Sequence, residues 1–408
     1  GAALAAAVTF AVFHNHRIAA ERDRAQYQAE TADSVSEFLI SVFLESDPDR
    51  SDDHEATVRD VLARGAERVL ADVEGDPAVR ARLLDALGEV QRKLGRLREA
   101  EPLLEEGLAL RRQALDPRDP EILSSLGHLA SLRSELGDPE ASLALNREIY
   151  ARAMDIHGED HVETVVRLHN LGTALRNAGE LAEAEEVLRR SLAGRRRHFG
   201  DEHIAVANAV GSLANLVRDQ ERYEEAAELY AEALRLSQTV YGEDHVRVAS
   251  IWHNLGRMQV QTNRREEAEH SLDEALRIRR AAYGDDSLRL ESTLATRGAL
   301  RTDRGDLAGA EEDYREALDL ASRHVGPRSR AIVAPLTALG RVFARGGRTA
   351  EADSTLAEAI AIAQESYGEG HAAWGEAVDA YVEFLEQAGR EQQAAAWRER
   401  AKPLNGDF

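Results

Sequence analysis

A period of 42 residues constrains this chain more than any other feature. One position recurs at Gly95, Gly137, Gly179, Glu221, Asn263, Gly305, Gly347 and Gly389. Seven residues before it stands a small residue in all but the last case: Gly88, Ala130, Gly172, Ala214, Gly256, Gly298, Gly340, then Val382. Five residues after it stands another: Ala100, Ser142, Ala184, Ala226, Ala268, Ala310, Ala352 and Ala394. A second turn keeps the same step at Gly158, Gly200, Gly242, Gly284, Gly326 and Gly368, reading GEDH, GDEH, GEDH, GDDS, GPRS and GEGH. At 408 residues the chain exceeds what one compact core supports, and a fixed period of this size is the signature of a stacked repeat array.

Each unit holds two helices. In the third, Leu168, Leu171, Gly172 and Leu175 fall at i, i+3, i+4 and i+7, one face of a helix, and Gly179 stops it. Residues 183–198 form the second helix, with Ala184, Val187, Leu188 and Leu192 inward. Glycine inside a helix costs about 1 kcal/mol relative to alanine. Its return at Gly172, Gly256, Gly298 and Gly340 therefore implies close helix crossings that exclude larger side chains. A single pair leaves apolar surface uncovered, and stacked neighbours cover it. The expected fold is all-α, an α-solenoid of about eight helix pairs over residues 77–403, followed by a tail at 404–408.

The region before the array reads differently. Residues 1–13, GAALAAAVTFAVF, carry no charge. They would rise about 20 Å as a helix, short of the roughly 30 Å hydrocarbon core. They are read as the downstream remnant of a transmembrane helix, an alanine-rich soluble helix end being the alternative. Residues 14–33 continue as a polar juxtamembrane helix. Residues 34–76 hold VSEFLISVFLESDPDR and TVRDVLARGAERVLADV, which align one period back as a degenerate repeat capping the array.

The repeats resemble the tetratricopeptide repeat in its 42-residue form, as found in kinesin light chains. LHNLG (168–172) and WHNLG (252–256) match its first helix; GELAEAEEVLRRSLAGR and NRREEAEHSLDEALRIR match its turn and second helix. The resemblance implies a right-handed superhelix with the first helices lining a concave surface, a generic scaffold for binding protein segments. Departures are Pro139 and Ser142 in the second repeat, Glu221 and Asn263 at the turn, and Val382, which marks the eighth repeat as a cap. The arrangement of a broken apolar helix, a polar helix, SVSEFLISVFLESDPDR and repeats resembles the C-terminal half of bacterial membrane-bound serine/threonine protein kinases. That second resemblance implies a single-pass anchor in the bacterial inner membrane, a kinase domain upstream of residue 1, and repeats on the extracytoplasmic side.

Composition narrows the chemistry. Acidic residues outnumber basic ones 74 to 51, a net charge of −23, which repels nucleic-acid phosphate. There is no cysteine, so disulfides, thiolate nucleophiles and cysteine metal sites are excluded. Lysine occurs only at Lys93 and Lys402, in a repeat helix and in the tail. The Gly-rich loop, strand lysine and catalytic-loop aspartate of a kinase are missing, as are GxxxxGK[ST], GxSxG and HExxH. No catalytic residue, cofactor site or metal site is expected in this chain. His161, His203, His245 and His371 stand one repeat apart, too far to converge on one ion, and are read as linker residues.

The concave surface that the tetratricopeptide resemblance implies is where a site is expected. In the third repeat the stripe is Val166, His169, Asn170, Thr173, Arg176 and Asn177. Equivalent places give Arg82, Glu89, Arg92 and Lys93 in the first, Asn208, Asn215 and Arg218 in the fourth, and His253, Asn254 and Arg257 in the fifth. Asparagine both donates to and accepts from a peptide backbone, and arginine offers a planar fork to carboxylates. The stripe reads either as solvated helix surface or as a groove for an extended, acidic peptide or protein partner. With the second resemblance, the expected role is the regulatory region of a membrane kinase, transmitting partner occupancy or a homo-oligomeric state. The alternative is a stand-alone membrane-tethered adaptor without kinase activity; a repeat-linked hydrolase is a third class that no residue here supports.

Overall fold

A computed structural model describes residues 77–401. The expectations for 1–13, 14–33, 34–76, Lys402 and 404–408 lie outside the described residues. The described chain is all-α, as the period requires. Eight helix pairs follow one another: α1 (Pro77–Lys93) with α2 (Leu97–Ala114), α3 (Pro120–Glu135) with α4 (Pro139–His157), α5 (Val162–Asn177) with α6 (Leu181–Phe199), and α7 (Ile204–Asp219) with α8 (Tyr223–Tyr241). Then come α9 (Val246–Gln261) with α10 (Arg265–Tyr283), α11 (Glu291–Arg304) with α12 (Leu307–Val325), α13 (Val333–Arg345) with α14 (Thr349–Tyr367), and α15 (Ala372–Gln387) with α16 (Glu391–Ala401). The residues form two compact units that divide between Gly194 and Arg195, inside α6. Within each unit, consecutive helices pack against one another in sequence order.

The turn inside each pair needs a left-handed residue. Gly179 has φ 82° and closes α5 by donating to the Arg176 carbonyl at 3.0 Å, while Glu180 donates to Leu175 at 2.9 Å. Glu221 and Asn263 adopt the same geometry, at φ 61° and 58°, without glycine's freedom. The turn between pairs uses another device. His161, His203, His245 and His371 are N-caps: each Nδ1 accepts from the backbone N–H two residues on, at 3.1–3.2 Å. Each imidazole also stacks on the ring four residues earlier, with centroids 4.3–4.6 Å apart on His157, Phe199, Tyr241 and Tyr367. The linker reading of these histidines thereby gains a structural reason. Where serine replaces them, at Ser287 and Ser329, the chain enters through a short 3-10 turn, Leu288–Leu290 or Arg330–Ile332. His245→Ala is expected to lower stability by about 1 kcal/mol in urea titration, and His245→Asp to retain most of it, since an aspartate oxygen replaces the acceptor.

The small residues stand where helices touch. A Cβ on Gly88, Gly172, Gly256, Gly298 or Gly340 would lie 2.6–3.0 Å from the second helix of its own pair, against Leu104, Leu188, Leu272, Tyr314 and Leu356. Ala100, Ala184, Ala226, Ala268, Ala310 and Ala352 are fully buried on the other side of the crossing. Ser142, the exception in the second repeat, is buried and donates to the Ala130 carbonyl at 2.9 Å. Val382 is buried, and α15 still pairs with α16.

At one otherwise apolar register of the first helices a charge appears. Leu87, Leu129, Leu171, Leu213, Leu255 and Leu339 share a register that Arg297 takes in α11. Its guanidinium donates to buried Asp313 at 2.6 and 3.1 Å and to Asp273 at 2.6 Å; Arg301 donates to Asp313 at 3.0 Å. Burial opposes both charges and pushes the Asp313 carboxyl up. The bonds to Asp313 and Asp273 outweigh burial at Arg297 and hold it charged, so the geometry is that of a carboxylate clamped between two guanidinium groups.

Candidate functional site

The first helices carry the polar stripe, and most of its cations are already engaged. In α1, Arg92 donates to Glu89 at 2.7 and 2.8 Å and also pairs with Glu135, at the end of α3. Lys93 lies 3.4 Å from Glu89, whose carboxyl Arg92 holds below the usual range. In α5, Arg176 donates to the side-chain amide oxygen of Asn177 at 3.0 Å. His169 is half-buried and Asn170 exposed beside it. In α7, Arg218 is held by Asp219 at 2.7 Å and by Asn215 at 3.3 Å, and Asn215 also accepts from the Tyr230 hydroxyl at 2.6 Å. Asn208 is exposed on the same helix. A stripe of open cations, which the sequence suggests, is thus reduced by neighbouring carboxylates and amides.

The fifth repeat is different. His253, Asn254 and Arg257 lie along α9, with Arg257 exposed and the other two half-buried. Neither Arg257 nor Asn254 has an ion pair or hydrogen bond among the described residues. Behind them stands Arg279 of α10, which the sequence reading missed because it treated second helices only as apolar faces. Arg279 donates to the Arg289 carbonyl at 3.2 Å and to the Thr293 hydroxyl, and Thr293 is 3.2 Å from His253 Nδ1. Burial pulls the Arg279 pKa down, and no carboxylate among the described residues pairs with it. Burial, then the charges of Arg279 and Arg257, push His253 down to about 4, so it is neutral at physiological pH. The unfolded chain takes up that proton near pH 6.5, so stability falls as pH drops from 6.5 towards 4. Between pH 7.5 and 5.5 this group removes about 1.4 kcal/mol, and His253→Gln is expected to flatten that part of the urea-midpoint profile.

The signal for Arg279 is in the sequence. Arg111, Arg195 and Arg279 are 84 residues apart, two periods, and so are Asp85, His169 and His253. In the first repeat the pair is Arg111 with Asp85, 3.1 Å apart, with Ser125 also bonded to Arg111 and His128 3.0 Å from Asp85. Burial works against the Asp85 charge, but His128 and Arg111 hold its carboxyl below the usual range. Arg195 donates to the Ala205 carbonyl at 2.8 Å.

Comparison with known proteins bears on the fold. The tetratricopeptide repeat family profile matches residues 79–155, 121–197, 204–281 and 288–365, more than half of the chain. No curated protein matches it. BtubC from P. vanneervenii is 26% identical over 55% of this chain and 88% of its own, with a TM-score of 0.47. A putative kinesin light chain from Podosopora anserina with nearly identical TPR-like repeats is 23% identical over 52% of this chain and 99% of its own, TM-score 0.44. The apo form of the quorum sensor NprR from B. thuringiensis is 12% identical but covers 91% of this chain and 98% of its own, TM-score 0.62. Eight helix pairs, seven of them with a small residue on both helices of the crossing, and a profile matched along most of their length, place this chain in the tetratricopeptide repeat family.

Proposed function

We propose that this protein-binding repeat domain acts as a sensor that takes up an extended peptide segment of a partner along the first helices. The observation that carries the reading is Asn254, half-buried on α9 and without a hydrogen bond among the described residues; Asn170 holds the equivalent place on α5. Each amide is therefore available to a peptide backbone. The likeness to NprR is one of fold alone and supports only that helix pairs of this kind can serve a sensor. The test is selection from a random peptide library on the full chain. Asn254→Ala is expected to weaken the selected peptides about threefold to tenfold, one lost hydrogen bond of roughly 0.5–1.5 kcal/mol, with thermal stability unchanged. A large fall in melting temperature would show this residue to be structural.

The place of the array in a larger protein is also part of this reading. The resemblance of residues 1–33 and the segment after them supports a membrane-anchored kinase whose repeats lie on the far side of the membrane. Among the described residues no helix is long and apolar enough to cross a membrane. The coding sequence upstream of Gly1 decides: a Gly-rich loop, a strand lysine and a catalytic-loop aspartate support the kinase, and a bare signal anchor supports the adaptor.

A further inference from the structure

Ion pairs join neighbouring repeats at fixed registers. One register of the second helices joins Arg112 to Glu148 at 3.0 Å, Arg196 to Glu232 at 2.6 Å and Arg280 to Glu316 at 2.7 Å. Another joins Arg147 to Glu183 at 2.6 Å. In a third, the residue that opens a second helix reaches back to the second helix before it: Arg348 to Glu311, and Arg390 to Asp353. The boundary between the fourth and fifth repeats has lost all three. Its α8 positions in these registers are Gln238, Ala231 and Ala227, while the other side keeps Glu274, Glu267 and Arg264. Those charges close on their own helix instead, Arg264 with Glu267 and Glu274 with Arg277. The interior shows the same contrast. Arg111 bonds Ser125 and Arg279 bonds Thr293 across their boundaries; here the two places hold Ser237 and Ile251. Among the described residues no hydrogen bond or ion pair joins α7 or α8 to α9 or α10. Apolar packing and the linker span this boundary; in the linker Tyr241 stacks on His245, Arg247 lies 5.5 Å from the Tyr241 ring, and Asp244 accepts from Arg277.

We propose that the boundary between the fourth and fifth repeats is a shear plane, along which α9 and α10 slide on α8 while the boundary between the fifth and sixth repeats holds. Apolar contacts are non-directional, so a small shift along the helices leaves the buried area nearly unchanged. Hydrogen bonds and close ion pairs are directional and weaken on the same shift. An exposed pair contributes little alone. The fifth–sixth boundary, however, combines Arg280 with Glu316, Arg304 with Glu269, the half-buried Arg297 with Asp273, and Arg279 with Thr293. All of these resist sliding together, and the fourth–fifth boundary has no counterpart to any of them. Asn215 and Arg218 stand on α7, and Asn254 and Arg257 on α9, so sliding here changes the spacing between two parts of the polar stripe. The shear plane does not depend on what that stripe binds. A partner lying along it would select one setting of the plane.

The test is electron–electron distance measurement on the full chain. The sequence has no cysteine, so introduced cysteines carry the only spin labels. Glu224→Cys with Ala308→Cys spans the fourth–fifth and fifth–sixth boundaries. Glu266→Cys with Ala350→Cys spans the fifth–sixth and sixth–seventh. All four positions are exposed, share one register and lie in the first turns of α8, α12, α10 and α14. The distance distribution of the first pair is expected to be broader than that of the second by about 1–2 Å, the size of a helix shift at a packed interface. Ala231→Arg with Gln238→Arg then offers Glu267 and Glu274 the cross-boundary partners that Glu183 and Glu148 already have. Ala231 is exposed and Gln238 half-buried, so neither change disturbs the core. The two arginines should narrow the first distribution to the width of the second and leave the second unchanged. Salt at about 1 M, which screens exposed charges beyond roughly 3 Å, should undo part of that narrowing. Equal widths in the parent protein overturn the proposal, whatever the arginine variant does. A first distribution that stays broad with both arginines in place overturns it as well, because the missing ion pairs would then not be what frees the boundary.

Discussion

Replacing Gly340 with leucine is expected to destabilise the protein by about 3 kcal/mol, because the side chain has nowhere to go. A Cβ alone would sit 2.6 Å from Cγ and Cδ2 of Leu356, which is fully buried among Ala352, Ala359 and Ile360. Protein interiors are close-packed, so Leu356 cannot turn away without displacing its neighbours. Gly172 faces Leu188 in the same way, at 2.7 Å, and Gly172→Leu should behave alike. Gly127 and Gly211 serve as controls. They lie inside α3 and α7, yet nothing stands within 4 Å of the Cβ each would gain. Gly127→Ala and Gly211→Ala should therefore raise stability by about 0.5–1 kcal/mol through helix propensity alone. Urea titration of the four variants checks both signs. A neutral Gly340→Leu would mean that the helix crossings do not depend on close approach.

That contrast shows what the sequence makes legible. The crossings and turns are local events repeated many times, so Gly88 or Gly179 declares its role through its period. The ends of each pair follow from residues that take positive φ, even where Glu221 and Asn263 replace glycine. The state of a polar side chain is another matter. Arg92 looks free along α1, but its second carboxylate, Glu135, lies 43 residues away at the end of α3. Ion pairs of this kind link successive second helices as well: Arg112 with Glu148, Arg147 with Glu183, and Arg280 with Glu316, each 36 residues apart. They depend on how one repeat is set against the next, and a reading within one helix does not reach them. Exposed pairs like these contribute little stability individually. At the candidate site only Arg92 is held in this way; Lys93, Arg176 and Arg218 are engaged within their own helices by Glu89, Asn177 and Asp219, and Arg257 of the fifth repeat is left. Arg279 was legible only in a doubled period, across second helices 84 residues apart.

Removing the carboxylate of Asp313 is expected to have the largest effect of any substitution among the described residues. Its side chain is 1% exposed and accepts from Arg297 at 2.6 and 3.1 Å and from Arg301 at 3.0 Å. Asp313→Ala leaves the Arg297 guanidinium, itself only 12% exposed, with Asp273 as its remaining carboxylate. Breaking a buried pair from one side costs about 3–5 kcal/mol, because the surviving charge has lost its compensation. The other repeats indicate the rescue. Arg297 stands where six of them carry leucine, and Asp313 corresponds to Leu103, Val187 and Leu229. Arg297→Leu with Asp313→Leu restores the apolar crossing those repeats already use, while Arg301 keeps Glu269 at 3.5 Å. Replacing a buried ion pair by apolar residues of similar volume is often neutral or stabilising. The double variant should therefore lie within about 1 kcal/mol of the parent, although each single change is severe. Urea titrations of the parent, both singles and the double close the cycle. A double variant as unstable as the sum of the singles would mean that the charges do not act as a pair, and that Arg297 holds α11 in place through contacts of its own.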